Sequence, residues 1–379
     1  NTTDSLNLLA GCVPADADGT PGRVLVLDVE HHANLLPWQR SAGGATVLHG
    51  AETVAETLEA IRAELARAPY ALLALTGASN VTGELLPVAD VVAIAHEAGT
   101  RVAIDGAQLV PHRRFSLAET GVDYISYSGH KTYAPFGSGA LVGRRDWLDS
   151  GTPYLAGGGA VRQVDLDQVR WTNAPARHEA GSPNVIGAVA LAAACETLAS
   201  LPAGTLEAHE AYLRERLVSG LESIPGVQVV RAWADAPDPV GVVTFSVVGH
   251  DPGLVAAYLS AEHGIGVRDG RFCAHPLLAR LGYASGAVRA SVGVGTTQEE
   301  VDRLITALET YVTDGPTARY EIVDACWTVA DDPRPLPEGS GLSGLIATAA
   351  AGFIAGAAGC GPVPEPQVSA ARAGSLVDA

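Results

Sequence analysis

Apolar residues fall into two kinds of run along this chain. Residues 24 to 29 (VLVLDV), 71 to 75 (ALLAL), 102 to 105 (VAID) and 123 to 127 (DYISY) are short and rich in β-branched or aromatic side chains, and they predict buried strands. Between them, residues 52 to 68 and 88 to 98 space their apolar positions as helices do. This alternation predicts an α/β fold with a mostly parallel central sheet covered by helices on both faces. After Pro202 the texture changes to a charged helical stretch (205 to 222), strand-like VQVV (227 to 230) and VVTFSVV (242 to 248), and helices near 252 to 262 and 298 to 312. These predict a smaller α+β unit, joined to the first by an Ala-rich helix over 184 to 201.

The expected division is a large unit over 1–203, a small one over 204–315, and a tail over 316–379. The tail holds a Pro-rich stretch and an uncharged run from Leu342 to Gly359 that is rich in alanine and glycine. That run reaches the lower bound of a membrane span, but its small residues give little transfer energy, so a docked or disordered tail is expected instead.

Composition narrows the class. Of 379 residues, 47% are apolar and 17% charged, which argues for a folded globular chain. The formal net charge of −18 repels phosphate backbones and anionic lipids, so neither nucleic acid nor membrane is an expected partner. Five widely spread cysteines without a CxxC pair predict neither a disulfide framework nor a zinc site, and they fit a reducing compartment, the cytoplasm. There is no methionine, and the chain opens on the polar run Asn1-Thr2-Thr3-Asp4-Ser5, so a preceding segment is expected to be missing.

Lysine occurs once, as Lys131, while the other 23 basic residues are arginine. Lys131 follows a predicted strand in Ser128-Gly129-His130-Lys131 and precedes a Gly/Pro-rich turn, at the kind of strand end where α/β sheets bind ligands. Arginine cannot replace a lysine that must lose its proton and attack an aldehyde, because its pKa lies above about 12. A Schiff-base lysine is the sharp reading and a surviving surface lysine the bland one. A Schiff base with pyridoxal phosphate further needs an acid for the ring nitrogen and donors for the phosphate. Asp105 ends a predicted strand at the same sheet edge, although such an aspartate also serves simply to cap a helix. Thr2, Thr3 and Ser5 open an apolar helix-like stretch, where hydroxyls and free N–H groups meet. Adjacent histidines, His31 and His32, point to opposite sides of an extended chain, so no metal site is expected there. The Gly137 to Gly143 segment lacks nucleotide-binding GxGxxG spacing.

The DGAQ at 105 to 108 and the SGHKTYAPFGSG at 128 to 139 closely resemble the class V aminotransferase family of fold-type I pyridoxal phosphate enzymes. Further motifs occur in family order over residues 1 to about 313: Glu30-His31-His32-Ala33-Asn34 with Pro37-Trp38, Ser79-Asn80-Val81-Thr82-Gly83, and Glu179-Ala180-Gly181-Ser182-Pro183-Asn184. The resemblance implies that Lys131 carries the cofactor and moves the α-proton, His31 stacks on its ring as a catalytic acid/base, and Asp105 pairs with its nitrogen. Asn80 and Gln108 would meet the phenolic oxygen, and Thr2, Thr3, Ser128 and His130 the phosphate. Ser182, where threonine is usual, would reach the phosphate of the partner subunit in a homodimer.

Residues 267 to 277, with Arg289 beyond them, resemble the cysteine loop of group II cysteine desulfurases and selenocysteine lyases. That places Cys273 at the persulfide-forming cysteine and Arg289, with Asn80, at the substrate carboxylate. Arg268 and Arg271 stand where they would lower the thiol's pKa; otherwise Cys273 reads as a small buried residue. Arg271 and Phe272 replace histidines common in those enzymes, and Ala134 replaces a common glycine. The expected activity is removal of sulfur or selenium from an L-cysteine-type substrate, giving alanine, with a sulfur-acceptor protein as further partner. The alternatives are another class V reaction (C-S lyase, epimerase or aminotransferase) with Cys273 a bystander, or a non-catalytic scaffold.

Overall fold

A computed structural model describes residues 1–332. The uncharged run from Leu342 to Gly359 lies outside the described residues. Six strands build the large sheet: β1 (Val24–Leu27), β2 (Ala45–Leu48), β3 (Leu72–Thr76), β4 (Arg101–Asp105), β5 (Tyr124–Ser128) and β6 (Gly139–Gly143). Their order is β2-β1-β3-β4-β5-β6, all pairs parallel except the last. Every residue of β1 and β3 is buried, as a sheet covered on both faces requires. The pleat divides them: Leu25, Leu27, Leu73 and Leu75 pack with Ile61, Leu65 and Val91 of the helices Val54–Arg67 and Val88–Glu97. Val24, Val26, Leu72 and Ala74 face the opposite layer, which holds Leu6 and Leu9 of the helix Thr2–Ala10 and Trp38. A separate antiparallel hairpin, β7 (Val161–Val164) and β8 (Val169–Trp171), leads toward the helix Val185–Ser200.

The second unit has a four-stranded antiparallel sheet of β9 (Val227–Val229), β10 (Val242–Val247), β11 (Arg268–Gly270) and β12 (Ala287–Ser291), ordered β11-β12-β10-β9. The helices Thr205–Ser223, Pro252–His263 and Gln298–Asp314 cover it through a shared apolar core that includes Leu217, Phe245, Tyr258 and Leu308. Thr297 and Glu300 close a capping box at the start of the last helix.

Hydrogen bonds fix the two units to each other. Val240 N–H donates to the Gly83 carbonyl at 2.8 Å, Ala232 N–H donates to the buried Glu84 carboxylate at 2.7 Å, and the Thr244 hydroxyl bonds the Val81 carbonyl. Gly83 sits at φ +75°, and a Cβ there would lie 2.6 Å from the Val242 carbonyl oxygen, so only glycine permits this approach. Beyond the last helix, β13 (Tyr320–Val323) and β14 (Cys326–Val329) form a hairpin. Trp327 Nε1 donates to Asp251 at 3.0 Å, and Glu262 accepts from Thr317 N, Ala318 N and the Tyr320 hydroxyl, so this hairpin is docked on the helix Pro252–His263. Among the described residues no single helix is long and apolar enough to cross a membrane.

Candidate active site

The carboxyl ends of the parallel strands converge on a cavity of about 410 Å³. Thr76 ends β3, Asp105 ends β4, Ser128 ends β5, and Lys131 closes the single turn of helix that follows. Nine of the twelve residues expected from sequence line this one cavity: Thr2, Thr3, His31, Asn80, Asp105, Gln108, Ser128, His130 and Lys131.

Asp105 is buried, with one carboxylate oxygen accepting from Ala107 N–H at 2.9 Å. Burial pushes its pKa up, while the Ala107 bond and the Lys131 ammonium pull it down. Lys131 is the reciprocal case: burial lowers its pKa, Asp105 opposes that, and Arg289 and Arg268 lower it further. An amine so placed loses its proton more readily than a solvated lysine.

His31 is neutral. Burial first, then the charges of Lys131, His32, Arg268 and Arg289, push its pKa down to about 4. Its Nδ1 accepts from Ala33 N–H at 3.0 Å, which places the ring proton on Nε2. Because the folded pKa lies below the ordinary 6.5, protonation favours the unfolded chain, and stability present above pH 6.5 is lost as pH falls toward 4. Urea titrations of the cofactor-free protein at pH 7.5 and pH 5 are expected to show about 2 kcal/mol of extra destabilisation at the lower pH that a His31→Gln variant lacks.

In the same wall, Thr2 N–H donates to Ser128 Oγ at 2.8 Å and the two hydroxyl oxygens lie 2.7 Å apart. Thr3 N–H belongs to the first turn of the helix Thr2–Ala10, where amides have no helical acceptor. His130 stacks on Phe136 with ring centroids 5.1 Å apart. The cavity wall therefore offers hydroxyls and amides for an anionic group, a buried carboxylate and an amine. That donor set fits pyridoxal phosphate, with its phosphate, ring nitrogen and aldehyde.

Three expected residues stand outside the lining. Ser182 is exposed. Cys273 is half-buried beside the cavity, its sulfur 3.7 Å from Nη2 of Arg268, and it is Arg268 that reaches the lining. Arg289 is also half-buried; Nη1 donates to the Asn80 carbonyl at 2.7 Å, its Nε is buried without a hydrogen-bond partner, and burial brings its pKa down to about 10. The Asn80 side chain donates to the Phe272 carbonyl at 2.8 Å, so part of its capacity goes to the cysteine loop. Sequence reasoning passed over Phe136 as part of the wall, since its only signal was an aromatic inside a turn. Among the described residues no cluster of three or more His, Cys, Asp or Glu could hold a metal ion.

The model of the family "Aminotransferase class-V" matches residues 1–304. The chain belongs to the class-V aminotransferase family. Within this family it is 35% identical over 310 residues to a probable cysteine desulfurase of Xylella fastidiosa strain Temecula1, covering 81% of this chain and 73% of that one. The crystal structure of the cysteine desulfurase CsdA, in an S-sulfonic acid form, from Escherichia coli is similar at 33% identity and a TM-score of 0.73, covering 82% of this chain and 77% of that one. The apo cysteine desulfurase of Thermococcus onnurineus NA1 gives 32% and 0.74, covering 82% and 78%. The class-V match ends before the β13–β14 hairpin begins.

Proposed function

We propose that this class-V chain is a pyridoxal phosphate-dependent cysteine desulfurase, taking sulfur from an L-cysteine-type substrate and releasing alanine. The observation that carries the reading is the meeting, at one cavity, of Lys131, Asp105 and His31 with a cysteine whose sulfur lies 3.7 Å from a cavity-lining arginine. When bound, the cofactor supplies an electron sink for the substrate's α-carbon.

The residues divide the remaining work. Thr2, Thr3, Ser128 and His130 would hold the phosphate, Asp105 would pair with the ring nitrogen, and Asn80 and Gln108 would meet the phenolic oxygen. His31, neutral, would cover the ring face. Lys131 Nζ would carry the cofactor, and its amine would move the substrate's α-proton. Arg289 and Asn80 bind the substrate carboxylate. The Cys273 thiolate, with Arg268 beside it, attacks the substrate's sulfur: an S–S bond forms, the Cβ–S bond breaks, and its electron pair stays on carbon, which takes a proton and leaves as alanine. An acceptor thiolate then takes the outer sulfur of the Cys273 persulfide, forming its own S–S bond and releasing the Cys273 thiolate, chemistry suited to a reducing cytoplasm.

The working unit in this reading is a homodimer. Val185, Ile186 (83% exposed) and Val189 are exposed apolar residues of the helix Val185–Ser200, and Asn184 at its N-cap donates to the carbonyl of Gly137 in the cavity wall, next to the 85% exposed Phe136. Paired Ile186→Asp and Val189→Asp substitutions are expected to shift the protein from dimer to monomer in sedimentation velocity.

The test is direct. The protein loaded with pyridoxal phosphate and given L-cysteine is expected to form L-alanine in molar excess over enzyme. A changed cofactor absorbance without alanine would overturn the desulfurase assignment.

A further inference from the structure

We propose that Asn80 is a positioning residue for Cys273, its side-chain amide holding the thiol-bearing loop against the cavity through the Phe272 carbonyl. The inference rests on the desulfurase reading of Cys273 and adds a role for Asn80 beyond cofactor and substrate contact.

The loop between β11 and the helix His275–Arg280 is short, and two consecutive non-glycine residues in it have positive φ, Phe272 at 52° and Cys273 at 56°. Residues with a Cβ seldom adopt that conformation singly, so the loop needs bonds from outside to keep it. Asn80 Nδ2 donates to the Phe272 carbonyl across 192 positions of sequence at 2.8 Å, and His32 N–H donates to the Cys273 carbonyl, also at 2.8 Å. Of these two, Asn80 is the side chain that also lines the cavity.

Its second engagement ties the loop to the carboxylate site. Arg289 donates to the main-chain carbonyl of Asn80, and the guanidinium lies over the Phe272 ring at 5.4 Å from its centroid. Asn80, Phe272 and Arg289 close a triangle in which the Phe272 ring is fully buried. Its corners are a cavity wall, the residue before the thiol, and the candidate carboxylate ligand. An asparagine serving the cofactor alone would have no need of a bond to residue 272.

Asn80→Asp keeps the size of the side chain and sets an oxygen against the Phe272 carbonyl in place of the donor. In the cofactor-loaded protein, iodoacetamide is expected to alkylate Cys273 at least about fivefold faster in this variant than in the parent, read by peptide mass spectrometry, with the rates at Cys12, Cys195 and Cys326 unchanged. An unchanged rate at Cys273 overturns the proposal. A measurement that needs no variant guards against misfolding: in the parent protein, labelled with ¹⁵N at asparagine, an Asn80 Nδ2 proton is expected to exchange at least about tenfold more slowly than those of exposed Asn173. Equal exchange also overturns it. Faster alkylation in the variant, with a parent protein that makes no alanine from L-cysteine, would remove the desulfurase reading and keep the latch; turnover by the parent with unchanged alkylation in the variant would do the reverse.

Discussion

Replacing Lys131 by arginine is expected to lower alanine release from L-cysteine by at least about a thousandfold while leaving the fold intact. Arginine keeps the positive charge beside Asp105 but cannot shed its proton, so it neither carries the cofactor nor moves the α-proton. The burial and the neighbouring arginines that lower the Lys131 pKa act toward making that amine nucleophilic, an advantage a guanidinium cannot use. Because the chain has no other lysine, borohydride reduction of the loaded protein followed by intact mass measurement reports on this side chain directly. The parent is expected to gain the mass of the reduced cofactor and Lys131→Arg to gain none. A variant that retains both mass gain and turnover would remove Lys131 from the mechanism.

Cys273→Ala is expected to separate the two halves of the reaction. Cofactor loading and the absorbance change on adding L-cysteine are expected to persist, since Lys131, Asp105 and His31 line the cavity without it. Alanine formation is expected to fall by about a hundredfold or more, because the step that breaks the C–S bond has lost its nucleophile. Alanine release equal to the parent's would make Cys273 a bystander and return the choice to C-S lyase, epimerase or aminotransferase chemistry on the same frame.

What the sequence made legible follows physical signal strength. The strands β1, β3 and β4 were readable because burial on both faces leaves continuous apolar runs, and Val54–Arg67 because its apolar spacing is helical. The edge strand β2 was missed: ATVL is only partly buried and its pattern is weak. β11 (RDG) and β12 (AVRAS) were met as chemistry rather than as strands, since charges interrupt them and β11 has three residues. The hairpin β13–β14 lay in a region taken for tail, and what shows its docking is Asp251 and Glu262, side chains on a helix more than fifty positions away. In the site, Lys131 and Asp105 stood out through rarity and placement at strand ends. Arg268 was read only as a neighbour of the thiol, because its reach into the cavity depends on how the two sheets meet. The bond from Asn80 to Phe272 has no local signature, since nothing near either residue in sequence requires the other.

The seam at Gly83 gives that meeting of sheets a consequence for control. Lys131 and Asp105 are carried by one sheet, while Cys273 and Arg289 are carried by the other. In the desulfurase reading, the gap between the Lys131 amine and the Cys273 sulfur is therefore set by how the two sheets pack, through Gly83 and Val240 at the seam and through Phe272, Ala274 and Leu277, which share the apolar core of the first sheet. Small displacements cost reacting groups much of their rate. A side chain forced in at Gly83 is expected to shift the second sheet against the first and slow sulfur transfer from a distance, while the residues that would hold the cofactor stay together on the first sheet.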